Sequence, residues 1–103
     1  MDRKEMLSQI LADNPNDAFA RYGLALEYAN SGQTEAALAE FSRLLQVHKD
    51  YTPGYFMAAQ TLAKAERPQE AKEMLRQGIA SAVRTHNQHA QSEMEAMLEE
   101  LGS

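Results

Sequence analysis

Residues of similar size recur along this chain at a spacing of 34 positions. At this offset Ala25 falls on Ala59 and Ala37 falls on Ala71. The same offset also pairs Ala29 with Ala63, Tyr22 with Phe56, Phe41 with Leu75, and Leu45 with Ile79. A period of this length is typical of helix–turn–helix units that stack on their neighbours. The offset therefore predicts an all-α chain with at least two copies of such a unit.

The composition agrees with a single helical domain over residues 1–103. Alanine, the best helix former, fills 17 positions, whereas valine and isoleucine, which favour strands, fill only two each. Hydrophobic residues make up 44% of the chain, which is enough for a core. The absence of cysteine excludes disulfides, zinc thiolates and a thiol nucleophile.

Helix-breaking residues divide the chain and predict about five helices. The divisions are a first helix at 2–12, a first unit at 15–51, a second unit at 52–85 and a last helix at 87–101. Asp2 and Asn87 are expected to cap the helices that follow them, and Thr52 is expected to do so before Pro53. The second helix is apolar on several sides and the third has one polar face, which predicts an inner and an outer row of helices.

The residues of both units resemble the tetratricopeptide repeat pattern. The first unit has the large-small pair Leu24-Ala25 and the second has Ala58-Ala59. The remaining matches are Tyr28, Gly32, Ala37 and Phe41 in the first unit, and Tyr55, Leu62, Ala71, Leu75 and Gly78 in the second. The resemblance implies an α-solenoid of antiparallel helix pairs that winds as a right-handed superhelix. The helix at 2–12 is then the second half of a preceding unit.

Some positions depart from this pattern. Arg21 stands where an aromatic residue usually opens the unit, and Glu66 stands where the turn glycine is expected. In the last helix, Ser92-Glu93 occupies the place of the large-small pair, so we interpret residues 87–101 as a capping helix. That helix carries Glu93, Glu95, Glu99 and Glu100 and so most of the net charge of −5.

In this family the first helix of each unit lines a concave groove for a peptide or a partner's helix. Matched residue by residue, the resemblance implies a groove lined by Phe19, Tyr22, Leu26, Asn30, Phe56, Gln60, Ala63 and Lys64. Alternatively, Phe19 and Tyr22 belong to the core and pack on Met6 and Ile10. Because Tyr22, Leu26 and Met57 occupy the places of charged donors, a clamp for a terminal carboxylate is not expected.

Other functional classes find little support in the sequence. No phosphate-binding loop or catalytic motif occurs, so we expect neither enzymatic activity nor a cofactor. His86, His89 and Glu93 have a spacing that could hold a metal. A polar hinge, followed by a helix that Asn87 caps, explains these residues better, so no metal is expected. Basic residues are scattered, which argues against nucleic acid.

The sequence contains no apolar run of the length that a signal peptide or a membrane span requires. We therefore expect a cytoplasmic protein that does not enter a membrane. The predicted function is a non-enzymatic interaction module that binds an apolar or mixed peptide or a partner protein in its concave groove. The alternative is a homodimer formed through the apolar inner face or a terminal helix.

Overall fold

The computed structural model describes residues 2–102, which form six α-helices. In chain order these are α1 Arg3–Asp13, α2 Ala18–Asn30, α3 Thr34–Val47, α4 Thr52–Lys64, α5 Pro68–Arg84 and α6 Gln88–Glu100. Consecutive helices pack against each other as antiparallel pairs, which confirms the all-α fold. The expected number of about five helices was one too low, because the first helix, two helices in each unit and the last helix make six.

Side-chain caps fix the starts of three helices. The carboxylates of Asp2 and Asp17 accept hydrogen bonds from the amides of Glu5 and Ala20, at 2.9 and 2.8 Å. The Asn87 side chain accepts one from the Ala90 amide at 3.1 Å. The expected cap at Thr52 was wrong: this residue lies inside α4, and its hydroxyl is 2.9 Å from the buried hydroxyl of Ser81.

The turns between paired helices share a left-handed residue. Gly32 has a φ of 77° after α2, and Glu66, one period later, has a φ of 60° after α4. The second turn therefore keeps the geometry of the first without a glycine. A non-glycine residue in this region costs about 1–2 kcal/mol.

The helices form two rows that differ in how closely they pack. α2 approaches α4 closely and α4 approaches α6 closely, whereas the part of the chain that is described shows no such backbone approach of α3 to α5. We call α2, α4 and α6 the inner row. Because the outer helices are spread apart while the inner ones touch, the inner row forms the concave side.

The core consists of three clusters along the stack. The buried members are Leu7, Leu11, Ala20 and Leu24 between α1 and α2; Ala25, Ala37, Phe41 and Ala58 between α2, α3 and α4; and Tyr55, Ala59, Leu75, Ala82 and Met94 between α4, α5 and α6. The alanines that recur at the 34-residue offset, Ala25, Ala59, Ala37 and Ala71, are fully buried. They let helices approach closely, while Phe41 fills the remaining space.

An ion network replaces the aromatic residue expected at position 21. The Arg21 guanidinium donates to Glu40 at 2.6 Å and to the Pro15 carbonyl at 2.8 Å, and Arg43 donates to the same carboxylate at 2.7 Å. Glu40 is only 9% exposed. A buried charge is costly unless it is paired, and the two arginines pair the Glu40 carboxylate. The network thereby joins α2 to α3 at the position where the family pattern has an aromatic ring.

α5 is one turn longer than its counterpart α3, with 17 residues against 14. Its last residue, Arg84, donates from Nε and Nη2 to one oxygen of Asp50 at 3.0 and 2.7 Å. The extra turn also moves α6 out of the 34-residue register. As a result Met94 is the buried residue of α6, and Ser92 and Glu93, which the register aligns with the large-small pair, are exposed.

Among residues 2–102, no helix has both the length and the apolar character needed to cross a bilayer.

Candidate functional site

Two neighbouring cavities open on the inner row. The first, of about 220 Å³, lies between α2, α4 and α6, and we call it the Phe56 cavity. Its lining residues are Tyr22, Thr52, Pro53, Phe56, Met57, Asn87, His89, Ala90, Glu93 and Met94. The second, of about 230 Å³, lies between the ends of α2 and α4, and we call it the Gln60 cavity. It is lined by Ala29, Asn30, Gly32, Thr34, Met57, Gln60, Thr61, Lys64 and Ala65.

Aromatic and thioether groups dominate the wall of the Phe56 cavity. The Tyr22 ring packs against Tyr51, with ring centres 5.2 Å apart. Burial, reinforced by the neighbouring Tyr51, raises the pKa of the Tyr22 hydroxyl, so this group stays neutral. The polar rim comes from α6, where His89 Nε2 lies 3.4 Å from the Glu93 carboxylate. The cavity is therefore suited to an apolar side chain of a ligand, and the protein places the acidic group of Glu93 at the cavity's edge.

The Gln60 cavity has a different chemistry. Asn30 and Gln60 offer amide groups that both donate and accept hydrogen bonds. Lys64 adds a positive charge from the last turn of α4 and has no ion-pair partner within residues 2–102. Met57 lies in the wall of both cavities, so they are adjacent parts of one surface.

Five of the eight residues predicted to line the groove line these cavities, and Ala63 is not one of the five. Tyr22 and Phe56 lie at the first, and Asn30, Gln60 and Lys64 lie at the second. Leu26 lines neither, because it packs against the core cluster around Phe41, and Phe19 also lines neither. Phe19 is 68% exposed, so it is not buried on Met6 and Ile10.

Sequence reasoning assigned α6 only a capping role, yet the structure places it in the site. Ala90, Glu93 and Met94 complete the wall of the Phe56 cavity opposite α4. Their spacing of three and four residues marks one helix face, which was visible in the sequence. The 34-residue alignment did not indicate their role, because α5 is three residues longer than α3 and α6 is therefore shifted relative to the repeat.

A third cavity on the opposite side was not predicted at all. It measures about 440 Å³ and lies between α3 and α5 with α4 as its floor. It exists because the backbones of α3 and α5 do not approach each other closely within the described residues. Its apolar lining includes Phe41 of α3, Leu62 of α4 and Met74 of α5. Arg67 on its rim is bound to Glu35 and Glu70.

The histidines considered as metal ligands lie at the hinge before α6. His86 adopts a left-handed φ of 55°, and His89 is paired with Glu93. Among the described residues, no three acidic, histidine or cysteine side chains come together as a metal site. His48 instead has its Nε2 2.7 Å from the Asn16 carbonyl, which ties α3 to the turn before α2.

Comparison with known proteins agrees with this architecture. The tetratricopeptide repeat family model matches residues 2–55. A TPR repeat-containing protein of Pseudomonas aeruginosa is 27% identical over 97 residues, which are 94% of this chain and 92% of that protein.

Two solved structures have the same fold. A tetratricopeptide repeat domain protein from Salinibacter ruber superposes with a TM-score of 0.81 at 28% identity, covering 86% of this chain and 90% of that one. PcrH, solved in complex with the chaperone binding region of PopD, superposes with a TM-score of 0.88 at 19% identity, covering 95% and 74%. With the family model spanning more than half of the sequence, the chain belongs to the tetratricopeptide repeat family.

Proposed function

We propose that this protein is a non-enzymatic interaction module that binds a peptide or a helix of a partner protein on its inner row. The observation that carries the proposal is the pair of adjoining cavities along α4, which share Met57 and lie on the concave side. The units 15–51 and 52–85, with the flanking helices at 2–12 and 87–101, form one scaffold for this surface. The complex of PcrH with a segment of PopD supports such a role for the fold.

The two cavities differ in chemistry, and this sets the expected ligand. An apolar side chain fits the Phe56 cavity, where apolar burial and aromatic contact supply most of the affinity. A hydrogen-bonding or acidic group fits the Gln60 cavity beside Lys64. Phe56 and Lys64 are eight residues apart on α4, or about 12 Å along its axis. The ligand therefore presents an apolar and a polar or acidic residue at about this separation.

The first prediction concerns the rings of the Phe56 cavity. Replacing Tyr22→Ala together with Phe56→Ala is expected to weaken peptide binding by about tenfold or more, because truncated aromatic anchors commonly cost over 1 kcal/mol each. Peptides of 12 residues are selected from a displayed library on the wild-type protein. Their dissociation constants for wild type and variant are then measured by fluorescence polarisation.

The control for this experiment is Val83→Ser, which alters an exposed apolar residue of α5 that lines neither cavity. It should leave peptide binding unchanged. Circular dichroism should show the helicity of the double variant largely intact. Unfolding of the double variant would show that the two rings are core residues, and equal binding by the double variant would place the ligand elsewhere.

A further inference from the structure

Helix α1 carries an apolar face that no other part of the described chain covers. Among residues 2–102, α1 packs on α2 alone, through Leu7 and Leu11. Beside that contact, Met6 is 52% exposed and Ile10 is 44% exposed. Both residues lie on the same side of the helix, since they are four positions apart. Two large exposed apolar residues one turn apart form a stripe along the centre of α1.

Phe19 extends this stripe onto α2. A Cβ at Gly23, one turn after Phe19, would lie 3.6 Å from Arg3 Nη2 and 3.3 Å from Leu7. α2 therefore faces α1 with the side that carries Gly23, and the antiparallel registers place Phe19 level with Ile10. We call Met6, Ile10 and Phe19 the edge patch. Exposed apolar residues that form a contiguous patch mark an interaction surface.

Charges flank the apolar stripe in a self-complementary order. Arg3, Met6, Ile10 and Asp13 are spaced by three, four and three residues, so they fall within an arc of about 80° on α1. Arg3 has its Nε 2.9 Å from the Glu27 carboxylate, and its side chain remains 59% exposed. Asp13 has no partner among residues 2–102. From Arg3 to Asp13, the four side chains of this face are therefore positive, apolar, apolar and negative.

We propose that the edge patch binds a second copy of this chain, with the two α1 helices antiparallel about a twofold axis near Ser8. In this arrangement Arg3 of each copy faces Asp13 of the other, and Met6 of each copy faces Ile10 of the other. A twofold interface uses the same surface on both copies. The α1 face suits such an interface because its two ends, Arg3 and Asp13, carry opposite charges. The proposal goes beyond peptide binding, because it uses neither cavity of the inner row.

The size of the surface sets the strength of the dimer. α1 is 11 residues long, or about 16 Å. Stable complexes commonly bury about 800 Å² on each partner, and one short helix face with Phe19 is smaller than this. The dimer therefore dissociates on dilution, and its formation is followed by sedimentation velocity over a range of protein concentrations.

The test compares the wild-type protein with Met6→Lys combined with Ile10→Lys. Wild type is expected to change from monomer to dimer as its concentration rises, and the double variant to stay monomeric over the same range. Since both residues are exposed, thermal unfolding of the double variant should match that of wild type. Val83→Lys, which changes another exposed apolar residue, serves as the control and should dimerise like wild type.

The antiparallel register has its own test by charge reversal. Arg3→Asp and Asp13→Arg each place like charges opposite one another, so each variant alone is expected to dimerise about tenfold or more weakly. Mixing the two variants restores both opposite-charge pairs and should restore dimerisation. A monomer at every concentration, dimerisation that survives the double lysine variant, or a mixture no better than its components would each overturn the proposal.

Discussion

Gly78 lies where α5 meets both of its neighbours, and its missing side chain decides how closely they approach. A Cβ at this position would lie 2.5 Å from Met94 Sδ and 2.6 Å from Tyr55 Cβ. Both neighbours belong to the cluster that joins α4, α5 and α6. The glycine therefore serves close packing, which outweighs its low helix propensity.

Gly78→Ala is accordingly expected to destabilise the protein by about 1–3 kcal/mol, because the overpacked core must shift. Urea unfolding followed by circular dichroism measures the change. Gly23→Ala is the matched control: its Cβ would meet only flexible side-chain atoms of Leu7 at 3.3 Å and of Arg3 at 3.6 Å. Gly23→Ala should be near neutral, and an equal loss in both variants would contradict the packing explanation.

The recurrence of residues of similar size every 34 positions was sufficient to predict the alanines of the core. It was not sufficient to predict the role of Gly78. Ala25 and Ala37 are buried as the repeat predicts, since their contacts lie within one helix pair. The contact of Gly78 with Met94 depends on where α6 begins, which is set by the length of α5. Phe19 shows the same limit, because its exposure depends on how far α1 extends over α2.

At the level of the helices, the extra turn of α5 forms a link between the two units. Arg84 reaches back 34 residues to Asp50 in the loop between α3 and α4, and Ser81 bonds the same carboxylate at 3.2 Å. The hydrogen bond from Arg84 lowers the pKa of Asp50 below its usual range. The link is therefore formed with an ionised carboxylate.

Acid is expected to weaken this link. Because the folded state lowers the pKa of Asp50, its contribution to stability is complete above the unfolded-state value of about 3.9 and is lost as the pH falls through the lower folded-state value. Asp50→Asn should be less stable than wild type at pH 7, and the two proteins should converge as the pH falls below this range. Thermal unfolding across pH measures both trends.

The matched control for acid unfolding is Glu100→Gln, which removes an exposed carboxylate of α6. It should follow the wild-type curve at every pH. A constant difference between Asp50→Asn and wild type down to the lowest pH would mean that the ionised pair does not stabilise the fold.

For the whole molecule, the flanking helices complete a stack that two units alone would leave open. α6 buries Met94 against Tyr55 and Leu75, whereas α1 contacts only α2 within the described part of the chain. Deleting residues 86–103 is expected to destabilise the chain by more than the 2–5 kcal/mol typical of truncating one buried methionine. Deleting residues 1–13 should cost less, and urea unfolding of both shortened chains measures the difference.

The pairing of consecutive helices follows from local patterns, while the cavities follow from the spacing between helices that are distant in sequence. Helix periodicity predicted the inner row, and the family resemblance placed Tyr22, Phe56 and Gln60 on it. It could not predict the separation of α3 from α5, which opens the 440 Å³ cavity on the other side. Such separations arise from the summed packing of the whole stack.

Met57 is the residue that the Phe56 and Gln60 cavities have in common. Its unbranched thioether adopts several rotamers at little cost, so a group that enters one cavity can move it toward the other. For a ligand that fills both cavities, as proposed above, occupancy of one would then change affinity at the other, with an equal effect in both directions. The two halves of such a ligand would be energetically coupled through one side chain.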